Sequence, residues 1–144
     1  MFLYQLAHAR IAGWNRRVLT ETDALEFCRS RAVRIISDPR IDFGQLRYYK
    51  GYTFILISSR LNPEMRLWVL WHEIAHYLLH GYSTTRFSAS TVRKKDREAN
   101  YVAAVAMMPR HLIEGRTIDE VAADFGYPRE VVVIRYQVWE REDL

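Results

Sequence analysis

Hydrophobic and polar positions recur along this chain with two different periods, which predict helices in some stretches and strands in others. Residues 2–14 carry apolar side chains at helical spacing, and residues 20–31 predict a short helix that Thr20 or Thr22 can cap. Residues 32–37 alternate and are rich in β-branched side chains, which is typical of a strand. Residues 45–59 then predict two more strands, joined by a hairpin turn at Lys50-Gly51.

A longer helix is predicted after these strands. Asn62 is a capping residue, Pro63 suits the first helical position, and Glu64 places a negative charge in the first turn. The apolar pattern continues from there to about His80, where Gly81 suits a C-terminal cap.

The rest of the chain is predicted to be mainly helical. Residues 80–95 are polar and rich in Ser and Thr, so we expect a connection there. Residues 96–108 predict a helix that Pro109 ends, and residues 116–127 and 128–142 predict two further short helices. The pattern therefore predicts an α+β fold, in which a small antiparallel sheet of about three strands is packed by helices.

Length and composition narrow the class of protein. A chain of 144 residues is expected to form one domain, with residues 1–113 as its core and residues 114–144 as a helix-turn-helix-like helical tail. No apolar run approaches the roughly 18 residues that a membrane span needs, and no basic region precedes the apolar N-terminus as in a signal peptide. The single cysteine, Cys28, excludes an internal disulfide and fits a cytoplasmic location.

Charge is unevenly distributed between the two parts of the chain. Residues 1–113 contain 17 Lys and Arg against 9 Asp and Glu, whereas residues 114–144 contain 4 against 8. The second part resembles a helix-turn-helix superficially, but its net negative charge opposes contact with phosphates. Direct binding to nucleic acid is therefore not expected, and the basic surface is interpreted as solvated.

The helix after Asn62 contains titratable side chains in an apolar setting, LWVLWHEIAHYLLH. His72, Glu73 and His76 form the pattern H-E-x-x-H, and residues four apart on a helix are offset by only about 40° around its axis. Both imidazoles therefore face one space and suit one zinc ion, with Glu73 placed to act as a general base on water.

The simpler alternative is that these are satisfied core residues. The flanking apolar side chains predict a largely buried helix, in which an unpaired glutamate is costly. A metal ion supplies the partner that two histidines and a glutamate on one buried face require, so a zinc site is favoured. His80 lies about 80° around the helix from His72, and it is expected to contact the helix end instead.

A catalytic zinc ion needs a third protein ligand, and the next predicted helix contains the candidates. By spacing, Glu98 is favoured over Asp96, because Glu98 begins a stripe of inward positions that continues at 102, 105 and 109. Asp96 and Asn100 lie nearby and are expected to orient a ligand. Glu114 is the least favoured of the three candidates for the third ligand.

Two blocks of the sequence, WVLWHEIAHYLLHG and DREANYVAAVAMMP, together resemble the ImmA/IrrE family of metallopeptidases. The pattern of that family is an H-E-x-x-H helix, then E-A-N, a helix of small residues and a closing M-P turn. The likeness covers residues 25–140. H-E-x-x-H alone is common among zinc peptidases, whereas its combination with E-A-N and M-P is far more specific.

The resemblance implies a zincin-like active-site helix in which His72 and His76 bind zinc, Glu73 is the catalytic base and Glu98 is the third ligand. Members of this family often cleave a helix-turn-helix repressor and so induce phage, mobile-element or stress-response genes. We therefore expect a cytoplasmic zinc endopeptidase whose protein partner is a DNA-binding repressor.

Two alternatives stay open at this point. His111 follows the M-M-P turn and has the chemistry to stabilise an oxyanion, although a surface histidine is the simpler interpretation. A metal-bound regulatory or interaction protein with little proteolytic turnover would retain the same ligand set. Cleavage of a substrate, and not zinc content, separates that alternative from a peptidase.

Overall fold

Seven helices and three strands follow one another in the computed structural model, which describes residues 2–80 and 89–142. In chain order they are α1 (Phe2–Arg10), α2 (Glu21–Ser30), β1 (Val33–Asp38), β2 (Gly44–Tyr49), β3 (Tyr52–Ser58), α3 (Pro63–Leu79), α4 (Ala89–Met107), α5 (Arg110–Ile113), α6 (Ile118–Phe125) and α7 (Arg129–Glu142). The predicted α+β class and the helical C-terminal part are confirmed.

Strand β3 lies at the centre of the sheet, between β1 and β2. β2 and β3 pair antiparallel and are joined by a turn at Lys50 and Gly51, whose φ angles of 50° and 81° suit a tight hairpin. β1 runs parallel to β3, so the sheet is mixed and the prediction of an antiparallel sheet is wrong for this strand. The hairpin turn makes β2 and β3 pair antiparallel, but no such turn joins β1 to its neighbour β3. Instead, the chain after β1 crosses the end of β3 to reach β2, and there the N–H of Ser58 donates to the carbonyl of Phe43 at 2.8 Å.

The hydrophobic core lies between one face of the sheet and helices α2, α3 and α4. Every residue from 101 to 109 is buried, and the small residues Ala99, Ala103 and Ala106 allow α4 to approach its neighbours closely. Helices α3 and α4 pack against each other more extensively than any other helix pair in the described residues. This packing brings polar side chains of the two helices, His72 and His76 of α3 and Asp96 and Asn100 of α4, into one region.

Two helix boundaries differ from the prediction. α1 ends at Arg10 and not near Trp14, because the chain turns at Gly13 with a φ of 82° and Trp14 enters the core, where its indole N–H donates to the Val102 carbonyl at 2.9 Å. α4 begins at Ala89, within the stretch predicted to be a connection. The predicted cap at Gly81 lies outside the described residues.

The C-terminal helices pack on the core. Arg135 of α7 is fully buried, and its Nε donates to the Met108 carbonyl at 2.7 Å. Tyr127, between α6 and α7, donates its hydroxyl to the Met107 carbonyl at 3.3 Å. Among the helices that the structure describes, none combines the length and the apolar character that crossing a membrane would require.

Candidate metal centre and cleft

Helix α3 presents His72 and His76 on one face, one turn apart. The helix starts at Pro63 because Asn62 caps it, as predicted, its side-chain oxygen accepting from the N–H of Met65 at 2.9 Å. The four-residue spacing brings the Nε2 atoms of the two histidines to 3.0 Å. The side chain of His76 is 6% exposed and that of His72 is 20% exposed, so both rings face one space that opens toward solvent beside His72.

Asp96 of α4 reaches the same space. Its Oδ1 lies 3.0 Å from Nε2 of His76 and 3.7 Å from Nε2 of His72. These three side chains form a group whose ligand atoms are close enough to hold one metal ion, the one such group within residues 2–80 and 89–142.

The sequence favours Glu98 for this position, whereas the structure places Asp96 there. Residues two apart on a helix differ by about 200° around its axis, so Asp96 and Glu98 are not expected to reach the same pair of Nε2 atoms, those of His72 and His76. Glu98 lies instead beside His80, with Oε1 at 3.5 Å from Nε2 of that ring. His80 caps the C-terminal end of α3, and its side chain, only 5% exposed, also contacts the metal group, because its Nδ1 lies 3.1 Å from Nδ1 of His76.

The hydrogen-bond partner of His72 determines which of its ring nitrogens carries the proton. Nδ1 of His72 lies 2.8 Å from Oδ1 of Asn100, which is one turn beyond Asp96 on α4. An amide oxygen only accepts hydrogen bonds, so Nδ1 of His72 is the protonated nitrogen. The unprotonated Nε2 therefore directs its lone pair toward His76 and Asp96.

The resulting set of donor atoms fits a zinc ion. Two donor atoms of a tetrahedral zinc site, each bound at about 2.0–2.1 Å, are about 3.3 Å apart. The separations among Nε2 of His72, Nε2 of His76 and Oδ1 of Asp96 are 3.0, 3.0 and 3.7 Å. Lone pairs that face one another at these distances repel unless a cation or a shared proton lies between them.

Burial and the neighbouring charges keep these groups in the form that binds a metal. Burial, assisted by the nearby His72, lowers the pKa of His76 to about 4, so the ring is neutral at neutral pH. The adjacent imidazoles, His72 first, lower the pKa of Asp96, which is therefore ionised. A neutral imidazole and a carboxylate are the forms that coordinate zinc.

Glu73 lies beside this group without belonging to it. Burial raises the pKa of Glu73, the charge of Asp96 raises it further, and His72 opposes both effects. Gly44 of β2 lies directly against the helix here, because a Cβ added to Gly44 would be 2.5 Å from Cγ1 of Val69 and 3.2 Å from Cγ of Glu73. The missing side chain at Gly44 thus permits the close approach of β2 to the turn of α3 that carries Glu73.

A cleft of about 450 Å³ opens in front of the histidines. One wall consists of Phe43 and the start of β2, which is an edge strand of the described sheet, and the other walls come from α3, α4 and Ile134 of α7. Phe43, Gly44 and Gln45 are not among the site residues predicted from the sequence. The available signal was Gly44 at the start of a strand, since glycine there often marks a close approach of another backbone or ligand.

Two residues considered from the sequence lie away from this cleft. His111 is exposed on α5, and Glu114 is exposed at the C-terminal cap of the same helix. Neither residue lines the cleft in the described part of the chain. The structure therefore does not bring His111 or Glu114 to the group of His72, His76 and Asp96.

Known proteins share this sequence pattern and fold. Residues 30–137 match the model of the family Peptidase_M78, described as the IrrE N-terminal-like domain. The chain is 30% identical over 101 residues to the protein named "Uncharacterized immunity region protein 2" of Bacillus phage phi105, with 64% of each chain covered. Its fold is similar to that of a Mycobacterium tuberculosis transcriptional regulator, with a TM-score of 0.63, 18% identity, and 92% of this chain and 46% of that chain covered.

The chain thus spans 64% of the length of the phage relative and 46% of the length of the regulator. The family match covers most of the chain and includes both helices that form the metal group. The resemblance to the ImmA/IrrE family is confirmed, and the chain belongs to the Peptidase_M78, IrrE N-terminal-like, family.

Proposed function

We propose that the protein is a zinc-dependent endopeptidase. The observation that carries the proposal is the convergence of His72, His76 and Asp96 beside Glu73, in a cleft bordered by an edge strand. Two imidazoles and one carboxylate are a three-ligand set of the kind found in catalytic zinc sites. Zinc held there supplies a Lewis acid that polarises the scissile carbonyl and acidifies water.

In this proposal Glu73 is the general base. Its carboxylate takes a proton from the attacking water and passes that proton to the leaving amine. Burial raises the pKa of Glu73, which makes its carboxylate a stronger base than an exposed glutamate. Asn100 holds the proton of His72 on Nδ1, so that Nε2 remains a ligand atom.

An extended peptide is the substrate that the shape of the cleft favours. Phe43 and the first residues of β2 line the cleft, and β2 has β3 as its one neighbour in the described sheet. The other edge of β2 is available to pair with the main chain of a peptide, which is a common mode of peptide recognition. The partly apolar lining, including Trp68 and Met65, suits side chains of that peptide.

A DNA-binding repressor is the protein substrate that we propose. The phage relative is by name an immunity region protein, and the family resemblance implies cleavage of a helix-turn-helix repressor inside the cell. Residues 114–144, the part that resembles a helix-turn-helix, contain 4 basic against 8 acidic residues, so this part is poorly suited to contact DNA phosphates itself. Cleavage of the repressor would permit expression of the phage, mobile-element or stress-response genes that it controls.

The test is co-expression with DNA-binding repressors of the same genome, beginning with any that is encoded beside this gene. Wild type is compared with Glu73→Gln, with Asp96→Ala and with Glu64→Gln, a matched control in the first turn of α3 that does not line the cleft. Wild type and the control should cleave the repressor, Glu73→Gln should bind zinc without cleaving, and Asp96→Ala should lose most of its zinc.

Equal loss of the repressor with wild type and Glu73→Gln would refute the role of Glu73. Stoichiometric zinc in wild type, Glu73→Gln and Glu64→Gln without cleavage of any repressor would favour the metal-bound regulatory protein instead. Full zinc content in Asp96→Ala would refute Asp96 as the third ligand.

A further inference from the structure

We propose that His80 and Glu98 are positioning residues, which together fix the proton of His76 on Nδ1 and so leave its Nε2 free to bind a metal. This inference rests on the proposed zinc site, but it concerns two side chains outside the group of ligands. The carboxylate of Glu98 sets the orientation of His80, and His80 in turn sets that of His76.

The three side chains form a continuous chain of contacts leading away from the metal group. Nδ1 of His76 lies 3.1 Å from Nδ1 of His80, and the two ring centroids are 5.2 Å apart. On the far side of the second ring, Nε2 of His80 lies 3.5 Å from Oε1 of Glu98. This nitrogen is buried and makes no hydrogen bond within the described residues, so the carboxylate of Glu98 acts on it as a nearby negative charge. His80 is held between two helices, since it ends α3 and Glu98 belongs to α4.

Only one arrangement of protons satisfies all of these contacts. Nε2 of His76 must be unprotonated to bind a metal, so Nδ1 of His76 carries the proton and donates it. Nδ1 of His80 must then accept, which places the proton of the neutral His80 ring on Nε2. A proton at Nε2 places the positive end of that N–H dipole on the nitrogen 3.5 Å from Oε1 of Glu98, which a negatively charged carboxylate stabilises.

A comparison with the other histidine ligand shows why His76 needs Glu98. His72 faces the oxygen of Asn100 at 2.8 Å, and an amide oxygen can only accept. His76 faces an imidazole, which accepts or donates at Nδ1 according to its tautomer. A carboxylate at the opposite nitrogen of His80 removes that ambiguity, so the pair His80 and Glu98 performs for His76 the task that one amide performs for His72.

The assignment also explains the place of Glu98 in the structure. Oε1 of Glu98 lies 3.5 Å from Nε2 of His80, whose side chain is 5% exposed and whose Nδ1 contacts the ligand His76. A group that holds a ligand in orientation typically changes metal affinity by about 10- to 100-fold when it is removed. A direct ligand, in contrast, changes the coordination of the metal itself.

The proton positions are tested in the wild-type protein, without any variant, by long-range ¹H–¹⁵N correlation NMR of the imidazole rings. Spectra are recorded with and without Zn²⁺. We expect His80 to be protonated at Nε2 and His76 at Nδ1 in both conditions. A proton on Nδ1 of His80 would overturn the inference, whether or not the protein binds zinc.

Metal affinity provides the second test. Dissociation constants for Zn²⁺ are measured by competition with a chelator for wild type, His80→Ala, His80→Asn and Glu98→Leu, with the exposed Glu114→Gln as control. We expect His80→Ala to bind zinc about 10- to 100-fold more weakly. His80→Asn should recover most of this loss, because the amide oxygen of asparagine can accept from Nδ1 of His76 where Nδ1 of histidine did.

Glu98→Leu should weaken zinc binding while leaving the visible absorption spectrum of the Co²⁺-substituted protein unchanged. An altered Co²⁺ spectrum would assign Glu98 as a ligand and refute its positioning role. A dissociation constant of His80→Ala within twofold of wild type would refute the positioning role of His80. Failure to cleave any repressor would overturn the proposed peptidase alone, since none of these measurements depends on turnover.

Discussion

Gly44→Ala is the substitution that most directly tests how the sheet and helix α3 approach each other. The added Cβ would lie 2.5 Å from Cγ1 of Val69, whereas two carbon atoms in ordinary contact are about 3.5–4.0 Å apart. β2 and α3 must therefore separate by about 1 Å, because a valine in a helix strongly prefers one rotamer and cannot easily turn away. Moving α3 also displaces Glu73, whose Cγ would lie 3.2 Å from the new methyl group.

The size of the effect follows from two opposing contributions. Inserting a methyl group into a packed region costs about 1–3 kcal/mol. Alanine restricts the unfolded chain more than glycine does, which offsets about 0.4–1 kcal/mol of this cost. We expect a net loss of about 1–2 kcal/mol in the free energy of unfolding, together with slower cleavage of substrate.

Urea denaturation of wild type, Gly44→Ala, Val69→Ala and the double variant measures the contact itself. Val69 is 5% exposed, so removing two of its methyl groups alone should cost about 1.6 kcal/mol. In the background of Gly44→Ala the same truncation makes room for the new methyl group, and we expect a coupling free energy of at least about 1 kcal/mol. Additivity of the two single effects within about 0.3–0.5 kcal/mol would show that Gly44 and Val69 do not limit the approach of β2 to α3.

Three further predictions concern the cap of α2, the support of His72 and the response to pH. Thr20→Ala should lower the free energy of unfolding by about 0.5–2 kcal/mol in urea denaturation, because the Thr20 hydroxyl accepts from the N–H of Asp23 and so caps α2. An equal loss for Thr22→Ala, at an exposed neighbouring position, would contradict this cap. Asn100→Leu should weaken Zn²⁺ binding by about 10- to 100-fold in chelator competition, and an unchanged dissociation constant would refute the support that Asn100 gives to His72. The metal-free protein should lose stability as the pH falls from 6.5 to about 4, because over that range His76 binds a proton in the unfolded state and not in the folded state. Denaturation midpoints at several pH values should show a flatter dependence for His76→Gln, and identical slopes would contradict the lowered pKa.

Local patterns in the sequence are sufficient for the elements that depend on neighbouring residues. The cap at Asn62 and the hairpin at Lys50 and Gly51 form as predicted, because each needs only residue types a few positions apart. The periodicity of α3 places His72 and His76 on one face for the same reason. The start of α4 is predicted too late because exposed polar residues such as Arg93 and Lys94 occur in helices as well as in connections.

The arrangement between elements depends on contacts that sequence spacing does not encode. The rotation of α4 against α3 places Asp96, and not Glu98, beside Nε2 of His72 and His76, and that rotation depends on the packing of the two helices against each other. The parallel pairing of β1 and the contact of Gly44 with Val69 likewise join residues far apart in the chain. The sequence thus identifies the chemistry of His72, Glu73 and His76, because local spacing determines which residues share one face of a helix. Packing selects Asp96 as the residue that completes the metal group, because only packing determines which face of α4 meets α3.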